Sequence, residues 1–306
     1  MAKVKKYKQR NILMKLMLAP YLFLLITFGL VPLIMALLEV PGESLTNPDG
    51  GWDAFKIVVQ DFRFPQAVKN VLGFMAIYVP LTLILVIVMA LMLDVRHTKW
   101  SKYLRMAYIV PASISGAVAV LVWWAILEPT ISPIKSVLGL FGIESATQVW
   151  QTKNLVYIIA IMTFFAIAGN WILIQYGSLQ SISSEIIEAA RVDGCSAFQL
   201  AVRIKLPLIR KYVIYMAVLL FAGGLQIFVE PQLLTSSVYT GIANAWSFDQ
   251  LSYELAFKSG DFGGASALSI ILLIPSMIGA LVVIFKTDMF DDKTIRNKKE
   301  SEKVEL

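Results

Sequence analysis

The residues with the most informative types and spacing lie in one segment, about 177–211, which is too polar to cross a membrane and too apolar to be a simple linker. Ser183 and Ser184 are suited to cap a helix that begins directly after them, and Gly194 can adopt the positive φ that ends one. A second short helix is predicted at about 196–204. Two short helices joined at a glycine form a compact element that could bind another protein.

This segment offers two kinds of contact to a partner. Glu185 and Glu188 are three residues apart, share a helix face and could meet basic groups. The small side chains of Ala189 and Ala190 allow another backbone to come close. Pro207 is expected to open the next long helix as a first-turn residue. The pattern predicts a docking element, and the alternative is an amphipathic helix pair lying on a bilayer surface.

Residues suited to catalysis or metal binding are scarce. The chain has one cysteine, Cys195, and one histidine, His97, so the sequence predicts no disulfide framework, zinc cluster or Cys/His dyad. It also contains no G-x-x-x-x-G-K-[ST] loop to hold a nucleotide phosphate. We therefore predict no catalytic site, no metal site and no enzymatic activity in this chain.

Three polar residues fall within long apolar segments. They are Asn170, Gln226 and Glu230, and such groups are costly enough at membrane depth to be functional candidates. We interpret them as candidates for a solute path. The alternative for Asn170 and Gln226 is a hydrogen bond between helices, and for Glu230 a position in the outer interface.

The composition is that of a membrane protein. Of the 306 residues, 58% are hydrophobic and 16% are charged, whereas soluble domains carry roughly 25% charged residues. A helix crosses the hydrocarbon layer with about 20 apolar residues. Six segments qualify, and we predict an all-α, polytopic protein with transmembrane helices at about 16–38, 71–93, 106–127, 155–176, 212–233 and 265–285.

The N-terminal apolar segment follows six basic residues, so a cleaved signal peptide is an alternative to a first transmembrane helix. Its apolar run is too long for a signal peptide, and no small-x-small cleavage site follows it. We therefore expect an uncleaved helix at 16–38.

The basic residues indicate an orientation. The two ends and the connections that lie on their side of a six-span protein carry 21 of the 27 Lys and Arg residues. This asymmetry predicts that both termini and the 177–211 segment are cytoplasmic. We interpret the basic segment 1–15 and the charged, disordered tail 286–306 as solvated ends rather than nucleic-acid-binding arms.

The docking segment resembles the cytoplasmic signature of the binding-protein-dependent permeases of ATP-binding-cassette (ABC) importers. That signature is Glu-Ala-Ala, three residues, Gly, nine residues, Ile, one residue, Leu-Pro. Every fixed place is filled, by Glu188, Ala189, Ala190, Gly194, Ile204, Leu206 and Pro207.

The chain looks most like the carbohydrate-uptake branch, in particular the permease subunits of the maltose and glycerol-3-phosphate type. The residues that carry this resemblance are Leu18-Ala19-Pro20-Tyr21, Val68-Lys69-Asn70, Val110-Pro111, Trp123-Trp124, Leu179-Gln180-Ser181-Ile182 and Ala256-Phe257. Two outer-side patterns differ from that branch: Leu233-Leu234-Thr235 runs into Ser236-Ser237-Val238, and Ile131-Ser132-Pro133-Ile134 replaces a Gly-x-Ile-Asn.

The resemblance implies a type-1 permease fold with a transmembrane core at 68–285 and a coupling loop at 178–207. Glu188, Ala189, Ala190, Asp193 and Gly194 would sit in a cleft of an ATPase subunit. The implied partners are a second permease, two cytoplasmic ATP-binding subunits that bind ATP and Mg²⁺, an extracytoplasmic solute-binding protein and membrane lipid. The cargo would be a sugar or oligosaccharide.

Two other functions share this hydropathy. An ion-coupled secondary transporter should show ionisable groups in its spans and an internal repeat. We find no repeat, and the spans are almost free of charge. An ABC permease for a non-sugar solute is the second alternative.

Overall fold

A computed structural model describes residues 16–44, 47–95, 99–114, 116–140, 142–237 and 245–286. The predicted segment 1–15, His97 and all but the first residue of the predicted tail 286–306 lie outside these residues. The described residues form helices and turns without a β-strand, which confirms the all-α prediction. The helices, in chain order, are α1 (Leu16–Glu39), α2 (Ala54–Gln60), α3 (Phe64–Val95), α4 (Lys99–Ala112), α5 (Gly116–Leu127), α6 (Lys135–Leu140), α7 (Ala146–Val149), α8 (Thr152–Gln180), α9 (Ser184–Val192), α10 (197–208), α11 (Arg210–Leu225), α12 (Val229–Ser237), α13 (Phe248–Tyr253) and α14 (Phe262–Lys286).

The apolar helices are long enough for several membrane crossings. Five stretches in the described residues have the length and composition of a span: Leu16–Glu39, Phe64–Asp94, Lys153–Gln180, Arg210–Ser236 and Phe262–Val282. They overlap the predicted segments, and the second begins several residues earlier than expected. The chain is a multi-pass membrane protein.

The predicted third span, 106–127, is not one helix. α4 ends at Ala112, α5 begins at Gly116, and the two are bent by 96°. Pro111 supplies the physical reason, because its ring prevents a regular helical turn and it has no N–H to donate. The described residues therefore contain five spans, or six if this bent pair crosses the membrane as one.

The predicted fifth span is interrupted in its C-terminal half. The helix stops at Leu225, and α12 resumes at Val229. Gly224, just before the break, packs closely on α3, since a Cβ there would lie 3.3 Å from Met75 and 3.6 Å from Tyr78. The neighbouring Gly223 faces no such contact. Of these two glycines, only Gly224 therefore allows a close approach to α3.

The larger of two compact units includes, in its described part, residues within 63–251 and 272–286. Its core lies between α3 and α8, where the described part buries Phe74, Val86 and Ala90 of α3 and Leu155, Ile159, Ile172 and Leu179 of α8. Gln175 on α8 donates a 3.1 Å hydrogen bond to the Tyr212 carbonyl on α11. This contact satisfies one polar group at membrane depth and fixes the two helices together.

The smaller unit includes residues 16–62 and 252–271 in its described part. Asp261 is fully buried and accepts a 2.9 Å hydrogen bond from the Gly264 amide, which caps the start of α14. α1 buries none of its most apolar stretch. Because that surface is apolar throughout, α1 requires lipid or another membrane helix around it.

Gly169 allows α4 and α8 to touch. A Cβ at this position would overlap the backbone carbonyl of Tyr108 and lie 3.2 Å from the Ala112 Cβ. Since backbone atoms cannot rotate away as a side chain can, any residue larger than glycine must push the helices apart. Arg105, one turn before Tyr108, lies 5.2 Å from the ring centroid of Tyr176 and would lose its geometry in the same movement.

We predict that Gly169→Ala destabilises the protein by about 1–3 kcal/mol because of this overlap. The detergent-purified protein should show a thermal unfolding midpoint lowered by several degrees, measured by scanning fluorimetry. Gly177→Ala is the matched control, because Gly177 lies on the same helix and a Cβ added there would have nothing within 4 Å. Equal midpoints for the two variants would contradict the assigned contact.

Candidate functional site

The coupling loop, residues 178–207, begins with a capped helix. The Glu185 amide donates to the Ser183 hydroxyl at 3.2 Å, so Ser183 is the N-cap of α9, and Ser184 is its first residue. Glu185 lies in the first turn and Arg191 in the last, where their charges oppose the helix dipole. The predicted start of this helix is confirmed.

Gly194 ends α9 as predicted. Its φ is +81°, a conformation that L side chains rarely adopt. The Gly194 amide donates to the Arg191 carbonyl and the Cys195 amide to the Ala190 carbonyl, both at 3.0 Å. These two bonds satisfy carbonyl groups at the end of the helix and reverse the chain into α10.

The second helix is longer than the predicted 196–204. Ser196 and Gln199 form a capping box, and the helix then runs to Leu208 through a π-helical turn at Leu200–Lys205. The prediction that Pro207 opens the next span is wrong. Pro207 lies in the last turn of α10, one residue before Leu208, and α11 follows only after Ile209. Because proline has no N–H, the Arg203 carbonyl has no regular partner at position 207. The wide turn directly before it joins the Leu206 amide to the Ala201 carbonyl.

The signature residues divide into exposed and covered sets. Of the signature residues and Asp193, five are exposed, and four of these are called the docking face below: Glu188, Ala189, Asp193 and Gly194. Ala190 is buried, Ile204 and Leu206 are half-buried, and Pro207 is exposed. The loop also exposes 88% of Val192 and 76% of Phe198.

An apolar cluster holds the base of the loop on the ends of the spans. Ala90, Leu179 and Ile209 are buried together, and Ile182 and Leu206 pack against them. These residues come from α3, α8 and both ends of the coupling loop. The signature leucine therefore has a packing role, whereas the residues of the docking face are exposed.

A buried ionic contact lies beside this cluster. Lys205 of α10 pairs with Asp94 of α3, and the two side chains expose only 8% and 5% of their surfaces. The second oxygen of the Asp94 carboxylate accepts a 2.6 Å hydrogen bond from Gln180 of α8. Sequence reasoning missed this contact, in which Asp94 lies directly after the predicted span 71–93. The available signal was one acidic residue ending a long apolar helix and one lysine inside the signature.

A cleft of about 460 Å³ separates much of α9 from the spans. Its lining includes Ile187, Glu188 and Arg191 from α9, and the Asp94 and Lys205 pair lies at its inner wall. Cys195 also lines it and is half-buried with a free thiol. The coupling loop is thus attached to the bundle at its base and stands clear of it along α9.

The candidate solute-path residues lie on two neighbouring spans. Asn170 is exposed on α8, Gln226 is exposed at the break between α11 and α12, and Glu230 is half-buried in the first turn of α12. The broken span therefore carries two of the three. In the described residues, the side chains of Asn170 and Gln226 form no hydrogen bond or ion pair with another side chain. The alternative interpretation expected a hydrogen bond between helices at these positions.

A second polar cluster, which sequence reasoning also missed, fixes α12. Gln250 donates to Gln232 at 3.1 Å and to the Thr235 hydroxyl at 3.2 Å. Asn70, on α3, donates to the Trp246 carbonyl at 3.1 Å. Gln250 and Trp246 are fully buried, so this cluster ties the C-terminal half of the broken span to its surroundings.

A family comparison identifies the chain. The family model described as the binding-protein-dependent transport system inner membrane component matches residues 86–296, more than half of the sequence. The chain belongs to this family. The matched range contains the whole coupling loop together with α8, α11 and α12, so the described site lies within the family domain.

Individual relatives give the same picture. This inner membrane component is 27% identical over 86% of its length to the diacetylchitobiose uptake system permease protein NgcF of Streptomyces coelicolor, of which 77% is covered. It is also 27% identical over 84% of its length to the multiple sugar-binding transport system permease protein MsmF of Streptococcus mutans, of which 92% is covered.

A solved structure establishes the fold. A chain of a bacterial alginate ABC transporter, crystallised in complex with an alginate pentasaccharide-bound periplasmic protein, matches with a TM-score of 0.79 and 22% identity. The match covers 91% of this chain and 94% of that chain. The predicted ABC transporter permease fold is therefore confirmed.

The part of the chain that the structure describes holds no cluster of three or more His, Cys, Asp or Glu side chains placed to bind a metal ion.

We predict that Gly194→Ala loosens the end of α9 by about 1–2 kcal/mol, because alanine pays the steric cost of the left-handed backbone. Amide hydrogen exchange at 190–195 should become about 5–30 times faster. A Cβ added at Gly194 would have nothing within 4 Å, so any change in exchange comes from the backbone conformation and not from a clash with a neighbouring residue. Gly223→Ala, in a helix with equally open space, should leave exchange at 190–195 unchanged. Unaltered protection in Gly194→Ala would refute the assigned helix end.

Proposed function

We propose that this inner membrane component is the permease subunit of an ABC importer that takes up a sugar or oligosaccharide. The carrying observation is the arrangement of the coupling loop, whose base is fixed to the spans and whose signature carboxylates are exposed. A loop built in this way can receive a movement from outside and pass it to the helices above.

The docking face suits a cytoplasmic ATP-binding subunit. Glu188 and Asp193 supply negative charge, and Ala189 and Gly194 leave room for a close backbone approach. Val192 and Phe198 add exposed apolar area, which is the kind of surface that a protein partner covers. Two such subunits would bind ATP and Mg²⁺, and their closure would rock the permease helices between two orientations.

The proposed orientation follows from the same interaction. An ATP-binding subunit lies in the cytoplasm, so the coupling loop must face it. The Lys and Arg excess of 21 to 6 favours the same side for the loop and both termini. The external face would then receive a solute from an extracytoplasmic binding protein.

A carbohydrate is the solute class that the relatives favour. The named relatives transport diacetylchitobiose or several sugars, and the structural neighbour carries alginate. Two of these are oligomers of sugar units. We propose carbohydrates as the solute class of this chain and assign it no particular sugar.

A second permease completes the proposed path. α1 leaves its apolar surface uncovered, and Asn170 and Gln226 are exposed on the spans. An apolar surface can face lipid, but an exposed amide there would lose its hydrogen bonds. We therefore place Asn170, Gln226 and Glu230 on a water-filled path shared with the second subunit, where amides can bind sugar hydroxyls.

We predict that Glu188→Lys reduces solute-stimulated ATP hydrolysis roughly tenfold or more in the reconstituted importer. Reversing a charge at an interface of this kind costs about 2–5 kcal/mol. Glu188 is exposed, so the variant should assemble normally in the membrane. Glu144→Lys is the control, because Glu144 is also exposed but lies outside the coupling loop. Full stimulation in Glu188→Lys would defeat the proposed coupling.

We predict that Asn170→Leu and Gln226→Leu weaken solute uptake about 2–10-fold, since each removes a neutral hydrogen bond worth about 0.5–1.5 kcal/mol. The concentration dependence of uptake into proteoliposomes measures this effect. Ile161→Leu serves as the control: Ile161 is exposed on α8 nine residues before Asn170, which is the opposite side of the helix. Wild-type uptake kinetics in both amide variants would remove them from the path.

A further inference from the structure

We infer that Asp94, Gln180 and Lys205 form a positioning joint that transmits movement of the coupling loop to the second and fourth predicted spans. The inference rests on the proposed function, because it assigns these residues a part in energy coupling. None of the three touches the proposed ATPase contact or the proposed solute path. They would act through the elements that they connect.

The joint links three elements that are distant in sequence. Lys205 and Asp94 are separated by 111 positions, and Gln180 and Asp94 by 86. Asp94 lies at the end of the span Phe64–Asp94, and Gln180 is the last residue of α8. One carboxylate thus binds the coupling loop with one oxygen and the end of α8 with the other.

The cleft makes this contact mechanically important. Because about 460 Å³ of open space lies beneath α9, a push on the docking face cannot pass straight into the bundle. One route runs through Gly194 into α10, which touches the bundle at Leu206 and Lys205, and the other runs through Ile182 to the end of α8. Leu206 makes apolar contacts, which can slide, whereas Lys205 makes a directional ionic one.

Burial explains why a charged pair suits this position. Removing two charges from water is costly, and such a pair often adds little net stability compared with apolar side chains. Its attraction is strong at low dielectric and depends steeply on distance and geometry. The Asp94 and Lys205 pair therefore specifies one register between α10 and α3 and resists displacement. Gln180 occupies the remaining carboxylate oxygen and extends the same register to α8.

The π-helical turn is the local device that brings Lys205 inward. It spans Leu200–Lys205, directly before the signature Leu206 and Pro207. The turn buries Lys205 while Val202 and Arg203, only two or three residues earlier, remain exposed. Wide turns of this kind are frequent at functional sites. The wide turn therefore also sets the joint.

The test measures solute taken up per ATP hydrolysed by the complete importer in proteoliposomes. Gln180→Met and Lys205→Met each remove one polar arm of the joint while keeping a side chain of similar length. We expect this ratio to fall about fivefold or more in Lys205→Met, a factor at the lower end of typical coupling between sites. The fall in Gln180→Met should be smaller. ATP hydrolysis should persist in both, because the docking face is intact.

Two further variants separate positioning from folding. The double variant Asp94→Asn/Lys205→Met removes both charges, so the bundle keeps no unpaired buried ion, yet its ratio should remain low. The exchanged pair Asp94→Lys/Lys205→Asp should restore the ratio to within about twofold of wild type. Lys258→Met is the matched control, because Lys258 pairs with Glu254 four residues away and joins no separate elements.

Each outcome supports or overturns the joint. A low ratio in the neutral double variant with recovery in the exchanged pair supports it. A merely stabilising pair would lower uptake and hydrolysis together with the amount of assembled importer, leaving the ratio unchanged, and that result would overturn it. An active wild type with an unchanged ratio in Lys205→Met sinks the joint alone, whereas a wild type without ATP-dependent uptake defeats the proposed function as well.

Discussion

The lack of hydrogen-bonding solvent in the hydrocarbon layer governs where this chain can be polar. Long helices satisfy their own backbone groups, so α3 and α8 can be apolar for most of their length. Polar side chains then concentrate where a helix ends or breaks. Asp94 and Gln180 lie at helix ends, and Gln226 lies at a break. The contacts of Asp94 and Gln180 and the position of Gln226 follow from this single constraint.

Much of the local structure could be predicted because its causes lie within a few residues. The Ser183 cap acts on an amide two positions away, and the positive φ of Gly194 is a property of that residue. The spans could also be predicted, since they depend on the composition of about 20 consecutive residues. The proposed ATP-binding partner comes from the family signature, because Glu188 and its neighbours form one continuous pattern.

The features that could not be predicted depend on the direction in which a helix bends or on residues that are distant in sequence. Composition shows that 106–127 is apolar but does not give the 96° turn after Pro111. The pairing of Lys205 with Asp94 spans 111 positions, and neither residue stands out by its neighbours alone. The fully buried Gln250 looks like an ordinary loop glutamine in the sequence. In each case tertiary packing selects a partner that no short window contains.

The coupling loop uses the same chemical group for two different tasks. The carboxylates of Glu188 and Asp193 are exposed, so water solvates them and they retain freedom to meet a partner that binds and leaves. The carboxylate of Asp94 is buried, so it must keep its cation and its hydrogen-bond donor at all times. Exposure therefore makes one contact reversible, and burial makes the other permanent. A loop with an exposed docking face and a permanently attached base is suited to the force transmission proposed above.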